Sequence, residues 1–175
     1  MRYTKKLFTL TMVILMIVSF STAVFADEAS FDTTKAFLQS FKDVDGVKCT
    51  VLGIEETGSG DKVEVVEIQY DGEMTERPVL VAAGFPEDNG SLHFYFYNFA
   101  AFDSEHILSV MGGVNALNAA CSWVKFYVDP TDSTVTAVMD LYANADNAGE
   151  IGIIGFEQLI KTTAKAGQTL AGMLQ

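Results

Sequence analysis

Few side chains of this sequence are of the types that perform acid–base or nucleophilic chemistry. It holds only two histidines, His93 in an aromatic-rich segment and His106 at the start of a helical pattern. Catalysis requires such a group beside an orienting partner, and the spacing of the sequence supplies none. Gly58-Ser59-Gly60 lacks the other residues of a nucleophile elbow or a phosphate-binding loop and is typical of a turn. We therefore expect a protein that is not an enzyme and that needs no cofactor.

Acidic turns and cysteines are the remaining candidates for ligand chemistry. The motif at 43–46, Asp-Val-Asp-Gly, lacks the other ligands of a calcium loop, and Asp129-Pro-Thr-Asp132 is typical of a hairpin turn. Cys49 and Cys121 have no further cysteine or histidine at zinc-binding spacing. The sequence therefore predicts no metal site. The two cysteines either form a disulfide or act as small buried hydrophobic residues.

The first 26 residues have the pattern of a signal peptide. Arg2, Lys5 and Lys6 form a basic segment before an apolar run at 7–20. Val24 and Ala26 follow the run and fit the small-residue positions before a cleavage site. The apolar run is shorter than the roughly 20 residues that span a bilayer, which favours cleavage over a retained anchor. We predict a signal peptide at 1–26, a single domain at 27–175, and a secreted or extracytoplasmic mature protein that is not attached to a membrane.

Cleavage after Ala26 would make an acidic chain more acidic. The whole sequence has a formal charge of −12, and the leader contains three of its eleven basic residues and no acidic ones. The mature chain would therefore carry eight basic and twenty-three acidic residues, a formal charge of −15. Nucleic acid and anionic membranes carry the same sign, so neither is an expected partner. The acidity either keeps an exported protein soluble or complements a basic partner.

The hydrophobic pattern predicts an α+β domain. Apolar residues at helical spacing follow Ser30 and Asp32, either of which can cap the first helix, and alternating or apolar runs then predict strands. The predicted order begins with a helix from about 31 to 44 and strands at 47–54 and 62–70, followed by a short strand, or the first part of one, at 78–84 and a strand at 91–102. A helix at 105–123, strands at 124–128 and 134–142, and a helix at 148–173 complete it. This order of helix, strands, helix, two strands and helix favours an antiparallel sheet of about five strands with three helices.

Two of the predicted helices carry specific expectations. The second should bury one apolar stripe: Ile107, Leu108, Met111, Val114, Leu117 and Cys121. The last begins with Gly149, Gly152 and Gly155, three residues apart. Glycine disfavours helix by about 1 kcal/mol per residue, so this end is either irregular or packed closely against another backbone.

The strand at 91–102 is rich in aromatic residues. Alternation places Leu92, Phe94 and Phe96 on one face, and it places His93, Tyr95, Tyr97 and Phe99 on the other. If helices cover only one face, either Tyr95, Tyr97 and Phe99 or the opposite set forms an exposed binding surface. The alternative is that three helices bury both faces.

Two short motifs and their order carry a resemblance to a known family. Asn115-Ala-Leu-Asn118 is followed by Lys125-Phe126-Tyr127-Val128-Asp129, a hairpin turn and the strand at 134–141. In this the chain resembles the YbjN-like family, also labelled bacterial sensory transduction regulators, which has the fold of type III secretion chaperones. The resemblance implies a non-catalytic adaptor or chaperone-like domain that forms a homodimer. We expect the motif residues to be structural, with Asn115 and Asn118 clamping the hairpin.

The sequence thus favours an exported, non-catalytic binding or chaperone-like domain that acts by protein–protein interaction. Two alternatives stay open. One is a secreted hydrolase whose site the sequence does not reveal, which would depend on His93. The other is a structural protein associated with the cell envelope.

Overall fold

The computed structural model describes residues 29–70, 79–86 and 90–173, so the predicted signal peptide at 1–26 lies outside the described residues. These residues contain three helices and six strands: α1 Asp32–Phe41, β1 Val47–Glu56, β2 Lys62–Tyr70, β3 Val79–Pro86, β4 Ser91–Ala101, α2 Ile107–Ala120, β5 Lys125–Asp129, β6 Thr134–Tyr142 and α3 Ala148–Gly172. Within these ranges, no helix combines the length and the apolar character that crossing a membrane requires.

The strands form one antiparallel sheet in the order β1-β2-β3-β4-β6-β5. The predicted α+β class is confirmed, and the sheet has six strands where about five were expected. Only β5 is out of sequence order at the sheet edge, because β6 returns from the hairpin to pair with β4. The edges of the sheet are therefore β1 and the short strand β5.

Within the described residues, the helices lie against one face of the sheet, and several side chains of the other face are exposed, Tyr95, Tyr97 and Tyr127 among them. Helix α3 packs on β4 and β6, α1 packs on α3, and α2 packs against β5 and α3. The inner face and the helices share one core, which includes Phe37, Phe85, Phe94, Phe126, Phe156 and Leu159. Full burial of each such side chain contributes about 1.5–3 kcal/mol, so this layer supplies most of the driving force for folding.

The start of α1 differs from the sequence prediction. The N-cap residue is Phe31, and neither Ser30 nor Asp32 forms a side-chain cap. Instead, the buried carboxylate of Glu64 on β2 accepts hydrogen bonds from the backbone N–H groups of Ser30 (2.8 Å) and Phe31 (3.0 Å). A carboxylate at a helix N-terminus is favoured by the helix dipole, so the sheet itself caps this helix.

Helix α2 buries only part of the predicted stripe: Val114 is buried, and Leu117 and Cys121 are partly buried against the core. A short 3-10 turn at Ser104–His106 precedes it, and its buried residues are Val110, Gly113 and Val114. Leu108 and Met111, which were expected inside, are exposed, Leu108 to 80%. The helix is apolar on several sides, so the spacing of its apolar residues did not identify the buried side.

Close packing explains the glycines of α3. The helix is regular from Ala148 onward, and the alternative of an irregular start is wrong. A Cβ added at Gly149 would lie 3.0 Å from the carbonyl oxygen of Ala36, and one at Gly155 would overlap Leu141. These positions bring α3 close to both α1 and the sheet.

Candidate functional site

Three tyrosines project from the sheet face opposite the described helices. Tyr95 and Tyr97 lie on β4 and Tyr127 lies on β5, with exposed fractions of 37%, 53% and 59%. We call these three residues the tyrosine face. They alternate with the buried residues Phe96 and Phe126, as successive side chains of a strand must. The expectation that helices bury both faces of β4 is therefore wrong.

Tyr95 and Tyr97 form the centre of this surface. Their rings are nearly parallel, with 5.8 Å between centroids and 12° between planes. Partial burial raises the pKa of both phenols, and Asp140 adds to the effect at Tyr95. Both hydroxyls therefore stay protonated at neutral pH. The pair offers an apolar ring surface edged by neutral hydrogen-bond donors, which suits recognition of protein side chains.

Phe99 does not belong to the tyrosine face, which corrects the sequence prediction. The pairing of β4 with β6 shifts register between Phe96 and Ala100, and Asn98 has φ of 53°. Asn98 is held in this conformation partly by the Thr134 hydroxyl, which donates to its Oδ1 over 2.8 Å. The resulting bulge turns Phe99 inward, where its ring lies 5.7 Å from both Phe96 and Phe126.

A polar chain of three side chains lies beside the tyrosine face. His93 Nδ1 is 2.7 Å from Asp140 Oδ1, and His93 Nε2 is 3.0 Å from Ser91 Oγ. With a proton on Nδ1, the imidazole donates to Asp140 and accepts from the Ser91 hydroxyl. This is the hydrogen-bond order of a serine hydrolase triad, but Asp140 is 70% exposed where the triad carboxylate is buried. Water therefore weakens the interaction of the Asp140 carboxylate with the imidazole.

The motif residues that carry the family resemblance divide between structure and surface. Asn118 is a clamp: its Nδ2 donates to the Phe126 carbonyl over 2.9 Å, and its Oδ1 accepts from the Phe126 N–H over 2.7 Å. Lys125 Nζ donates to the carbonyls of Asn118 and Cys121 and so caps the end of α2. The structure thus fixes the start of β5 to the preceding helix.

The remaining motif residues have other environments. Asn115 is exposed and does not share the clamp, which corrects the expectation that both asparagines hold the hairpin. Phe126 is buried, and Asp129 Oδ1 accepts hydrogen bonds from the N–H groups of Thr131 and Asp132 in the hairpin turn. Tyr127 was assigned a structural role from the sequence, yet it is exposed. Its alternation with Phe126 is the signal that places it on the outer face.

The two cysteines are both free thiols. Cys49 lies on β1 and Cys121 follows α2 next to β5, at opposite edges of the sheet. Five strand spacings of about 4.8 Å separate these edges, far more than a disulfide can bridge. The disulfide alternative is therefore wrong for the folded chain. Burial raises the pKa of Cys49 to about 12, which makes its thiol unreactive at neutral pH.

One group of metal-ligating side chain types occurs within the described residues. Asp103, Glu105 and His106 bring their ligand atoms within 4.8 Å of one another around the 3-10 turn. Both carboxylates are exposed, and such acidic surface turns are common without a metal. Among the ion pairs of the described residues, His106 takes part in one: its Nε2 lies 3.5 Å from Oε1 of the neighbouring Glu105.

Comparison with known proteins does not assign this chain to a family. No protein-family model matches the chain, and neither a curated protein nor a solved structure matches it significantly.

Proposed function

We propose that this chain is an exported, non-catalytic binding domain of the YbjN-like, chaperone-like type, which recognises a protein partner through the tyrosine face. The observation that carries the proposal is the exposure of Tyr95, Tyr97 and Tyr127 on the sheet face opposite the described helices. Tyrosine is enriched at protein interfaces and at the residues that dominate their binding energy.

Charge narrows the class of partner. The mature chain would carry a formal charge of −15, and Asp140 lies on the same sheet face as the tyrosines. A partner segment with apolar or aromatic side chains flanked by lysine or arginine is complementary to both features. Nucleic acid is not, because its phosphates carry the charge of the protein.

The tyrosine face is tested with a double variant, Tyr95→Ser with Tyr97→Ser. We expect a partner captured from the native secretome by the wild-type protein to bind the double variant at least about tenfold more weakly, because two ring surfaces are lost. Affinity is measured by titration calorimetry with the purified partner. Tyr142→Ser is the control, since it removes an exposed tyrosine that pairs with Ser91, at the opposite end of β4 from Tyr97. Equal affinity of the double variant and the wild type would reject the proposed surface.

We further propose that the domain forms a homodimer through α2 and the edge strand β5. Leu108 and Met111 leave an apolar side of α2 uncovered next to that edge. We expect light scattering after size exclusion to give a dimer at micromolar concentrations, and Leu108→Glu to give a monomer, because a buried unpaired carboxylate destabilises the interface. Leu52→Glu, at an exposed leucine on the opposite edge strand, should stay dimeric. A wild-type monomer at all micromolar concentrations would exclude the dimer.

A secreted hydrolase is the second candidate, and the chain of Ser91, His93 and Asp140 is what favours it. In that case Ser91 would be the nucleophile and His93 its general base. Screening with activated esters decides between the two candidates: turnover that is lost in both Ser91→Ala and His93→Ala, but kept in His106→Ala, would favour the hydrolase. Under the binding proposal, any turnover is the same in all three variants.

A further inference from the structure

A cavity of about 720 Å³ lies on the helix side of the sheet, at the end of the hairpin. Lys125 and Val138 form the residue pair between β5 and β6 that lies farthest from the hairpin turn. Past this pair, residues 120–124 and the end of β6 are no longer paired with each other. Residues 120–124 form one wall of the cavity, the end of β6 forms the second, and α3 forms the third. The opening is therefore a wedge that results from the different lengths of β5 and β6.

The wall chemistry of this cavity is strongly biased. Most of its surface is apolar, from residues that include Val124, Met139, Leu141, Ile151 and Ile154. None of the residues that line it is an aspartate, glutamate, lysine, arginine or histidine. Gln158 and Thr162 are four residues apart on α3, so an amide and a hydroxyl lie on the same side of that helix. Trp123, 73% exposed, stands at the rim.

We propose that this cavity binds an uncharged, largely apolar small molecule that directs one hydrogen-bonding group at Gln158 and Thr162. Its volume lies within the roughly 300–1,000 Å³ of typical small-molecule sites. A charged ligand would lose its hydration without meeting a counter-ion, and the acidic chain repels anions in particular. Trp123 supplies an apolar surface that can cover the bound molecule.

This inference does not depend on the proposed partner surface, because Met139 and Leu141 point to the core while the tyrosine face points away from it. Loss of partner binding in the tyrosine variant and loss of ligand binding are therefore separate results. The double variant Tyr95→Ser with Tyr97→Ser is expected to bind the small molecule as the wild type does.

The sequence contains a single tryptophan, Trp123, which makes the test direct. The probe is N-phenyl-1-naphthylamine, an uncharged aromatic amine whose emission rises in apolar surroundings. We expect saturable quenching of Trp123 with a matching rise in probe emission. 1-Decanol should displace the probe at concentrations at least about tenfold lower than decanoate or decyltrimethylammonium, because only the alcohol enters without a charge.

A filled cavity provides the matched comparison. Thr162→Phe places a ring in the cavity and should weaken probe binding by at least about tenfold, whereas Thr169→Phe, an exposed position on the same helix, should leave it unchanged. Full affinity in Thr162→Phe would overturn the proposed site. Equal displacement by decanoate and 1-decanol would overturn the proposed class of ligand.

A second measurement uses only the wild-type protein, so the test survives if Thr162→Phe does not fold. Cys121 lines the cavity, and N-ethylmaleimide should alkylate it more slowly when the probe is bound. Cys49 should not compete for the reagent, because burial raises its pKa to about 12 and keeps its thiol protonated. The proposal would be overturned if the probe did not change the alkylation rate of Cys121. It would also be overturned if light scattering showed a dimer and the probe did not quench Trp123, because a second copy of the chain would then close the cavity.

Discussion

Replacing Glu64 with alanine is expected to lower the free energy of unfolding by about 3–5 kcal/mol, because two hydrogen bonds to a buried charged group are lost together. The carboxylate accepts from the N–H groups of Ser30 and Phe31, which lie at the start of α1 and have no side-chain cap there. The variant leaves both donors in a partly buried position without an acceptor. Urea unfolding followed by circular dichroism measures the change.

Two further variants separate capping from other effects of this residue. Glu64→Gln keeps one carbonyl acceptor and should lie between the wild type and Glu64→Ala. Glu56→Ala removes an exposed carboxylate from the neighbouring strand β1 and should change stability by no more than about 0.5 kcal/mol. If Glu64→Ala cost no more than Glu56→Ala, the sheet would not be capping the helix.

Glu64 also shows which part of the fold the sequence could predict. Periodicity identified the strand Lys62–Tyr70 with its observed bounds, because alternation is a local property of the chain. It could not show that one glutamate of that strand is buried to 1% exposure. That burial depends on where the N-terminus of α1 meets β2, which is a tertiary contact between residues 34 apart in the chain.

The sequence predicted which side chains of β4 face outward as far as the bulge at Asn98. Strict alternation placed Tyr95 and Tyr97 correctly on one face. Phe99 departed from that pattern because Asn98 takes a positive φ, and nothing in the local sequence marks a bulge there. Asparagine tolerates this conformation better than most residues, so the sequence permits the bulge without requiring it.

The sequence also could not predict which residues of different strands lie side by side in the sheet. His93 and Asp140 are 47 residues apart, and only the register of β4 with β6 brings them together. The uncovered side of α2 has a similar cause, because a helix with apolar residues on several sides does not reveal from its spacing which side the core will take. Leu108 and Met111 are therefore informative about partners because they departed from the expected stripe.

Gly152→Ala is expected to destabilise the protein by about 1–3 kcal/mol, although alanine is the better helix former by about 1 kcal/mol. A Cβ at this position of α3 would overlap the ring of Phe37, which is completely buried. That ring cannot move aside easily, since the rings of Phe41, Phe85 and Phe94 surround it at centroid distances of 4.7, 4.6 and 6.1 Å. Thermal and urea unfolding measure the loss.

Gly167→Ala is the matched control on the same helix. A Cβ there meets no atom within 4 Å, so only the gain in helix propensity applies, and we expect stabilisation of up to about 1 kcal/mol. The opposite signs of the two substitutions separate close packing from helix propensity. Stabilisation by Gly152→Ala would mean that α1 and α3 can move apart without loss. In that case the spacing of the glycines would not be what holds these helices together.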